Sequence, residues 1–252
     1  MKITLYFTIV LFFGTQHLQA QQFIEKAVIE YEVKTSIKKT MGGGMWEEMM
    51  KDNMTDFKTG YFNFIFADDK SIYKFDHWLE SMKIPEWFRK SDEEEVWYLD
   101  HKTNRLNMQK NVFGSNFNVE DSIPVIEWKL SNETRVIAGY NCRKAVGRIM
   151  DSVYVFAFYS DEIAISGGPC SISGLPGMIL GLTIPRMYTS WIATKININN
   201  ADVTKIVPVT AKKYYTSLSL KTMLKERAKD WFSSEDPNSA KWLEQFYWKT
   251  SL

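Results

Sequence analysis

Met41, Met45, Met49, Met50 and Met54 cluster around Trp46, where Gly42-Gly43-Gly44 loosens the chain. Thioether sulfur is a soft ligand suited to Cu(I), and on a helix residues four apart stack on one face. Met45, Met49, Met50 and Met54 are therefore candidate ligands of a copper-binding arm. The same spacing suits an adaptable apolar helix face that covers a sheet or grips a ligand or partner, because unbranched Met packs irregular surfaces well. Packing is the commoner use of such a cluster. Apart from Cu(I), no residue pattern asks for a cofactor.

Two cysteines occur in the 252 residues, Cys142 and Cys170. In an exported chain their economical reading is a single disulfide; the alternatives are two inert buried thiols or a pair of metal ligands. Closing a loop of about 29 residues restricts the unfolded chain by roughly 3.5 kcal/mol. His77 and His101 are the only histidines beyond the first twenty residues. No C-x-x-C, H-E-x-x-H, G-x-S-x-G or phosphate-binding G-x-x-x-x-G-K-[ST] occurs, so no catalytic residue is assigned and a hydrolase using Ser, Asp or His77 is only the third reading. Glu93-Glu94-Glu95 and Asp68-Asp69 read as solvated turns. His77, with Trp78 and Trp87 nearby, reads as an amphipathic packing segment rather than an aromatic binding rim.

Residues 1–20 explain why oxidising conditions matter. Lys2 precedes the apolar run Ile3 to Phe13, and a polar stretch then ends at Ala20, the pattern of a secretory signal peptide. The run is too short to cross a hydrocarbon layer of roughly 30 Å as a helix, and no later stretch approaches the roughly 20 apolar residues of a span. The chain from 21 to 252 is expected to be exported, with no integral membrane span. Thirty-one Lys+Arg against 30 Asp+Glu leave a net charge of +1, which nominates neither nucleic acid nor an anionic surface. Aromatic residues make up 15% of the chain, which favours strands, where rings fit a pleated surface.

Strands are expected at Val28 to Val33, Tyr61 to Phe66, Ser71 to Phe75, Val96 to Leu99, Arg105 to Gln109, Asn116 to Val119, Glu127 to Leu130, Arg135 to Ile137 and Cys142 to Met150. Val153 to Tyr159 is apolar on both strand faces and reads as covered on both sides. Short polar turns between them favour an antiparallel meander. Helical spacing appears at Met45 to Phe57, at Leu220 to Phe232 and at Trp242 to Tyr247. No linker tract splits the chain, so a single domain is expected over 21–252.

Gly174-Leu175-Pro176-Gly177 carries the strongest local turn signal. Pro followed by Gly at the centre of Leu175 to Met178 fits a type II turn, with Gly177 taking the positive φ. In its context this stretch resembles the signature of the GLPGLI family, exported proteins mainly of Bacteroidetes-type bacteria, here reading GLPGMI from Gly174 to Ile179. The resemblance extends through Ile126-Glu127-Trp128-Lys129-Leu130, Ile137 to Ala145, and Phe158 to Ile163 into Gly168-Pro169. It implies residence in the periplasm or cell envelope of a Gram-negative bacterium, no established catalytic residues, and a pattern similar to half-open carrier barrels.

Together these readings predict an α+β fold: a strongly curved, half-open antiparallel sheet with packed helices, two of them C-terminal. The function expected is non-enzymatic binding, with a ring-rich inner sheet face taking an apolar or amphipathic ligand, or docking to an outer-membrane partner protein. Cu(I) binding through the Met cluster is the alternative.

Overall fold

The computed structural model describes residues 24–41, 54–112, 114–150, 152–198, 201–231 and 239–252. Eleven strands form one antiparallel sheet in the spatial order β6-β5-β4-β3-β2-β1-β11-β10-β9-β8-β7. One half is the meander β1 (Lys26–Ser36), β2 (Phe57–Ala67), β3 (Lys70–Trp78), β4 (Val96–Asp100), β5 (Arg105–Val112) and β6 (Ser115–Ser122). The other is β7 (Lys129–Ile137), β8 (Tyr140–Ile149), β9 (Val153–Ser160), β10 (Met178–Ile184) and β11 (Thr189–Asn197). Pairing of β1 with β11 joins the halves, from Val28 opposite Asn197 to Thr35 opposite Thr189. The sheet does not close, since β6 and β7 stand at its two edges.

Four helices occur among the described residues: α1 (Ile37–Met41), α2 (Glu86–Glu93), α3 (Ser217–Trp231) and α4 (Ser239–Ser251). The architecture is thus mainly β, which corrects the expected α+β balance. Alternation explains the strands. In β1, Ala27, Ile29 and Tyr31 are buried, while Glu30 and Glu32 lie on the other face. In β2, Phe62, Phe64 and Phe66 continue the same buried face. The β2–β3 hairpin turns at Asp68 and Asp69, both with positive φ of 52° and 61°, the geometry a two-residue type I′ turn requires. In α3 the buried residues Leu220, Leu224 and Ala228 form a narrow stripe four apart.

The inner face is filled. The connection from β9 to β10 lies over it, with Ile163, Ile172 and Leu175 buried. A Cβ added at Gly167 would come within 3.1 Å of the Phe64 ring. The Tyr31 hydroxyl donates to the carbonyl of Ile179 at 2.6 Å, and the Trp191 indole donates to the Tyr73 hydroxyl at 3.1 Å. One continuous core runs from Ile24 to Leu252 and includes Trp248 of α4.

Several local expectations change. Met45, Met49 and Met50, with most of the helix expected at Met45 to Phe57, lie outside the described residues; Phe57 itself opens β2. Lys129 and Leu130, the end of the strand expected at Glu127 to Leu130, merge with Arg135 to Ile137 into the single strand β7, with a register irregularity between Leu130 and Thr134; Glu127 and Trp128 precede it. The type II turn at Leu175 to Met178 does not form, because positive φ, 94°, falls at Gly174 and not at Gly177. Gly177 is needed for space: a Cβ there would sit 2.1 Å from the Ser160 carbonyl oxygen.

The disulfide is also absent: Cys142 and Cys170 are both buried free thiols. Cys142 lies opposite Arg135 in the β7–β8 register, and the Arg135 guanidinium covers Phe158 at 3.9 Å on the outer face. Cys170 sits in the inner β9–β10 connection, where it feels the charges of Lys110, Glu95 and Asp92. The sheet separates them.

Candidate functional site

β4 and β5 send every second side chain away from the core. Trp97 and Leu99, with Leu106 and Met108, point inward and are buried. Tyr98 and Asp100, with Asn107 and Arg105 directly opposite them, form a two-by-two patch on the outer face. The chain that follows β11 crosses this patch. It closes a cleft of about 290 Å³ lined by Tyr98, Asp100, Thr103, Arg105, Asn107, Pro208, Val209, Thr210 and Tyr214.

Four polar side chains in the cleft are held by hydrogen bonds or an ion pair. Asn107, 3% exposed, accepts the Val209 N–H on Oδ1 at 2.9 Å. The Tyr214 hydroxyl accepts from the Ala211 N–H at 2.9 Å and donates to the Val209 carbonyl at 3.0 Å, which fixes a ring that remains 38% exposed. Asp100 accepts the Thr103 N–H at 3.0 Å, and this bond above all holds its carboxyl below the usual range. Arg105 is committed to Glu120 at 2.6 Å, and that bond raises its already high pKa. Tyr98 is pushed up by burial and then by the Asp100 charge, so its phenol stays protonated. The cleft offers a fixed carboxylate, hydroxyls, an amide and aromatic ring surface.

A second polar cluster lies on the inner side, under α2 and α4. Lys58 pairs with Asp92, Lys110 pairs with Glu95 at 3.2 Å, and Lys110 also donates to the Lys249 carbonyl at 3.3 Å. Lys249 reaches Asp92 at 3.9 Å, and the Lys110 ammonium stands 4.6 Å from the centre of the Trp97 ring. Burial lowers the Lys58 pKa, against the pull of Asp92. Burial also acts to raise Asp92, but Lys58 and Lys249 outweigh it and hold this carboxyl low. These charges pin two helices to the sheet. Glu93-Glu94-Glu95 is therefore no solvated turn: Glu93 accepts from the Trp78 indole at 2.5 Å, Glu94 from Asn111 at 2.8 Å, and Glu95 meets Lys110. The signal was present in the alternation, since Lys110 follows Leu106 and Met108 at core-facing positions.

The residues singled out from sequence do not converge. Met54 is half-buried just ahead of β2, and Met45, Met49 and Met50 lie outside the described residues. His77 pairs with Asp76 at 2.7 Å and stacks on Tyr61 at 4.5 Å, while His101 follows β4, its N–H donating to the Asp69 carbonyl at 2.8 Å. No group of three or more His, Cys, Asp or Glu able to hold a metal occurs among the described residues. Gly174 donates its N–H to Ser166 Oγ at 2.9 Å, and the Trp128 indole donates to the Ser173 carbonyl at 2.9 Å, so the Gly174-Leu175-Pro176-Gly177 stretch is a packed corner.

The matched family is a different one from that expected. A protein-family model described as N-glycanase peptide, N-terminal domain, matches residues 80–222. Two solved structures of PNGF-II, in C2 and P21 space groups, share 17% and 18% identity with this chain. Each aligns with a TM-score of 0.52 over 80% of this chain and 33% of that chain, a likeness of fold. The chain thus spans about a third of the length of these structures. No curated protein matches. The matched segment contains the Gly174 to Ile179 hexapeptide, so the resemblance to the GLPGLI family is overturned. Binding of an apolar ligand on the inner face goes with it, because that face is filled by the chain's own residues. This chain belongs to the family of the N-glycanase peptide N-terminal domain.

Proposed function

We propose that the domain recognises the neutral part of an N-linked glycan in the outer-face cleft. The observation that carries this reading is that every residue lining the cleft, from Tyr98 to Tyr214, falls inside the segment 80–222 matched to the N-glycanase family. Sugar rings are held by apolar contact with an aromatic face and by hydrogen bonds from their hydroxyls, and Tyr214 and Asp100 supply both kinds of contact. Charge narrows the class. Arg105 is neutralised by Glu120, whereas Asp100 remains ionised, so the cleft carries net negative charge and disfavours acidic sugars. The leader expected at residues 1–20 supports a domain that meets its glycan outside the cytoplasm.

The reading includes a strongly curled, half-open sheet. Residues 123–128 join β6 to β7, and a connection of that length spans at most about 25 Å. Eleven strands laid flat place those edges roughly 48 Å apart. This mismatch supports a sheet bent so that its edges approach.

Titration with a neutral N-glycan core oligosaccharide and with a sialylated counterpart, followed by calorimetry, tests the proposal. The neutral glycan is expected to bind more tightly. Tyr214→Ala and Asp100→Ala should each weaken binding at least tenfold while leaving the far-ultraviolet circular dichroism unchanged. Absence of binding at millimolar glycan, or binding indifferent to both substitutions, overturns the assignment.

A further inference from the structure

We propose that the open sheet edge β7 is a docking strand for an extended, acidic polypeptide segment, which adds to it as a further strand. The inference is independent of the glycan reading. The two edges of the sheet are treated differently by the fold. At β6 the chain seals its own edge: the Tyr215 N–H donates to the Asn118 carbonyl at 2.8 Å, and the Tyr215 carbonyl accepts the Glu120 N–H at 2.9 Å. At β7 the only strand hydrogen-bonded to it is β8, so its other side presents backbone donors and acceptors that no strand among the described residues pairs with. Thr134 to Ile137 pair with β8 without interruption, which gives that edge regular strand geometry. Leu130 and Val136 on this strand are 50% and 68% exposed.

Charge selects the occupant. Lys129, Arg143 and Arg148 are exposed and have no acidic partner among the described residues. Lys144 and Arg135 share a single carboxylate, Glu133, at 2.5 and 4.0 Å. β7 and β8 thus carry five cations and one anion; Lys144 and Arg148 lie on one face of β8 with Arg135, and Arg143 lies on the other. Glu127 lies just ahead of β7, and Glu162 is occupied by the Asn141 N–H at 3.0 Å. β7 carries Lys129 and Arg135 against Glu133, and β8 beside it adds Arg143, Lys144 and Arg148, so a second copy would add to the positive excess while a strand with acidic side chains offsets it. Backbone pairing supplies affinity, and alternate side chains supply selectivity.

The probe is a synthetic peptide alternating Glu and Val, compared with a Lys and Val peptide and with a Glu and Val peptide methylated on alternate backbone nitrogens. Binding to the full chain is read by fluorescence anisotropy, and protection of residues 129–137 by hydrogen exchange. The Glu and Val peptide should bind, slow exchange across β7, and lose at least tenfold in affinity with Arg143→Glu/Arg148→Glu or on methylation. That variant keeps its fold by circular dichroism, because both side chains are exposed. Equal binding of the Lys and Val peptide, binding without protection in β7, no binding, or dimerisation of the chain through this edge each overturns the proposal.

Discussion

Asn107 on β5 accepts the backbone N–H of Val209 at 2.9 Å, tying the outer face of the sheet to a segment 102 residues further along the chain. The bond helps hold the returning segment over the sheet, in a cleft lined by Tyr98 and Asp100 from β4 and by Tyr214 from that segment. Asn107→Ala removes the acceptor and leaves a part-buried N–H without a partner, at an expected cost of about 1–2 kcal/mol. Urea denaturation measures the loss. Glycan affinity should fall further than stability alone explains, since the 208–214 segment is released while the sheet stays paired.

Gly177 and Gly139 answer different needs, and substituting each by alanine separates them. A Cβ at Gly177 meets the Ser160 carbonyl oxygen at 2.1 Å, so backbone must move. Gly177→Ala is expected to cost about 3 kcal/mol or more. Gly139 has φ of 87° with nothing within 4 Å of an added Cβ. Gly139→Ala should cost only the conformational penalty of about 1–2 kcal/mol. Denaturation midpoints in the reverse order would show that the corner at Gly177 yields readily.

The hairpin of β2 and β3 was legible because Tyr61 to Phe66 is a run of β-favouring aromatic and branched residues and Asp68-Asp69 marks the turn. The strand pair β10 and β11 was not named. Met178 to Leu180 follows a Pro-Gly signal that draws attention to the reversal, and β11 carries Ser190, Thr194 and Lys195 on its outer face, which weakens its apolar pattern. Helix α2 is short and opens at Pro85 without a side-chain cap. The cleft was out of reach for a different reason. Tyr98 and Asp100 look like ordinary outward strand positions, and nothing local indicates that Pro208 to Tyr214 returns across them.

Cys142 and Cys170 should behave as inert thiols. Burial pushes Cys142 up to about 11 and Cys170 up to about 12, so the reactive thiolate is scarce at pH 8. In the folded protein neither should react with a thiol-specific disulfide reagent within minutes, and both should react after unfolding in guanidinium. A reducing agent should leave the melting temperature unchanged. Failure to titrate both thiols in the unfolded, unreduced chain would reinstate a disulfide.

Lys110 and Glu95 form a buried pair whose members depend on each other, with side chains 3% and 16% exposed. Lys110→Met leaves Glu95 without its cation and the Lys249 carbonyl without its donor, an expected loss of about 3–5 kcal/mol. The double variant Lys110→Met/Glu95→Leu removes both charges. It should recover most of that loss, because an apolar pair avoids the desolvation cost. A double-mutant cycle by urea denaturation checks the coupling; additive losses would mean that the two charges act separately.

The same pair has a pH signature of definite sign. Burial holds Glu95 above the usual carboxylate range despite the opposing pull of Lys110. The folded state therefore binds this proton more readily than the unfolded chain. Glu95 then contributes added stability as pH falls through its raised folded value, down to an unfolded value of about 4.3. Asp92 acts oppositely: Lys58 and Lys249 overcome its burial and hold its pKa low. Its contribution is present above about 3.9 and is lost as pH falls through the lowered folded value. Above about pH 4.3 only the Glu95 effect operates within this pair of carboxylates. The stability of the native chain relative to Glu95→Gln should therefore rise as pH falls from 7 toward about 4.3, and a difference that stays flat or falls would mean that Lys110 outweighs burial at Glu95.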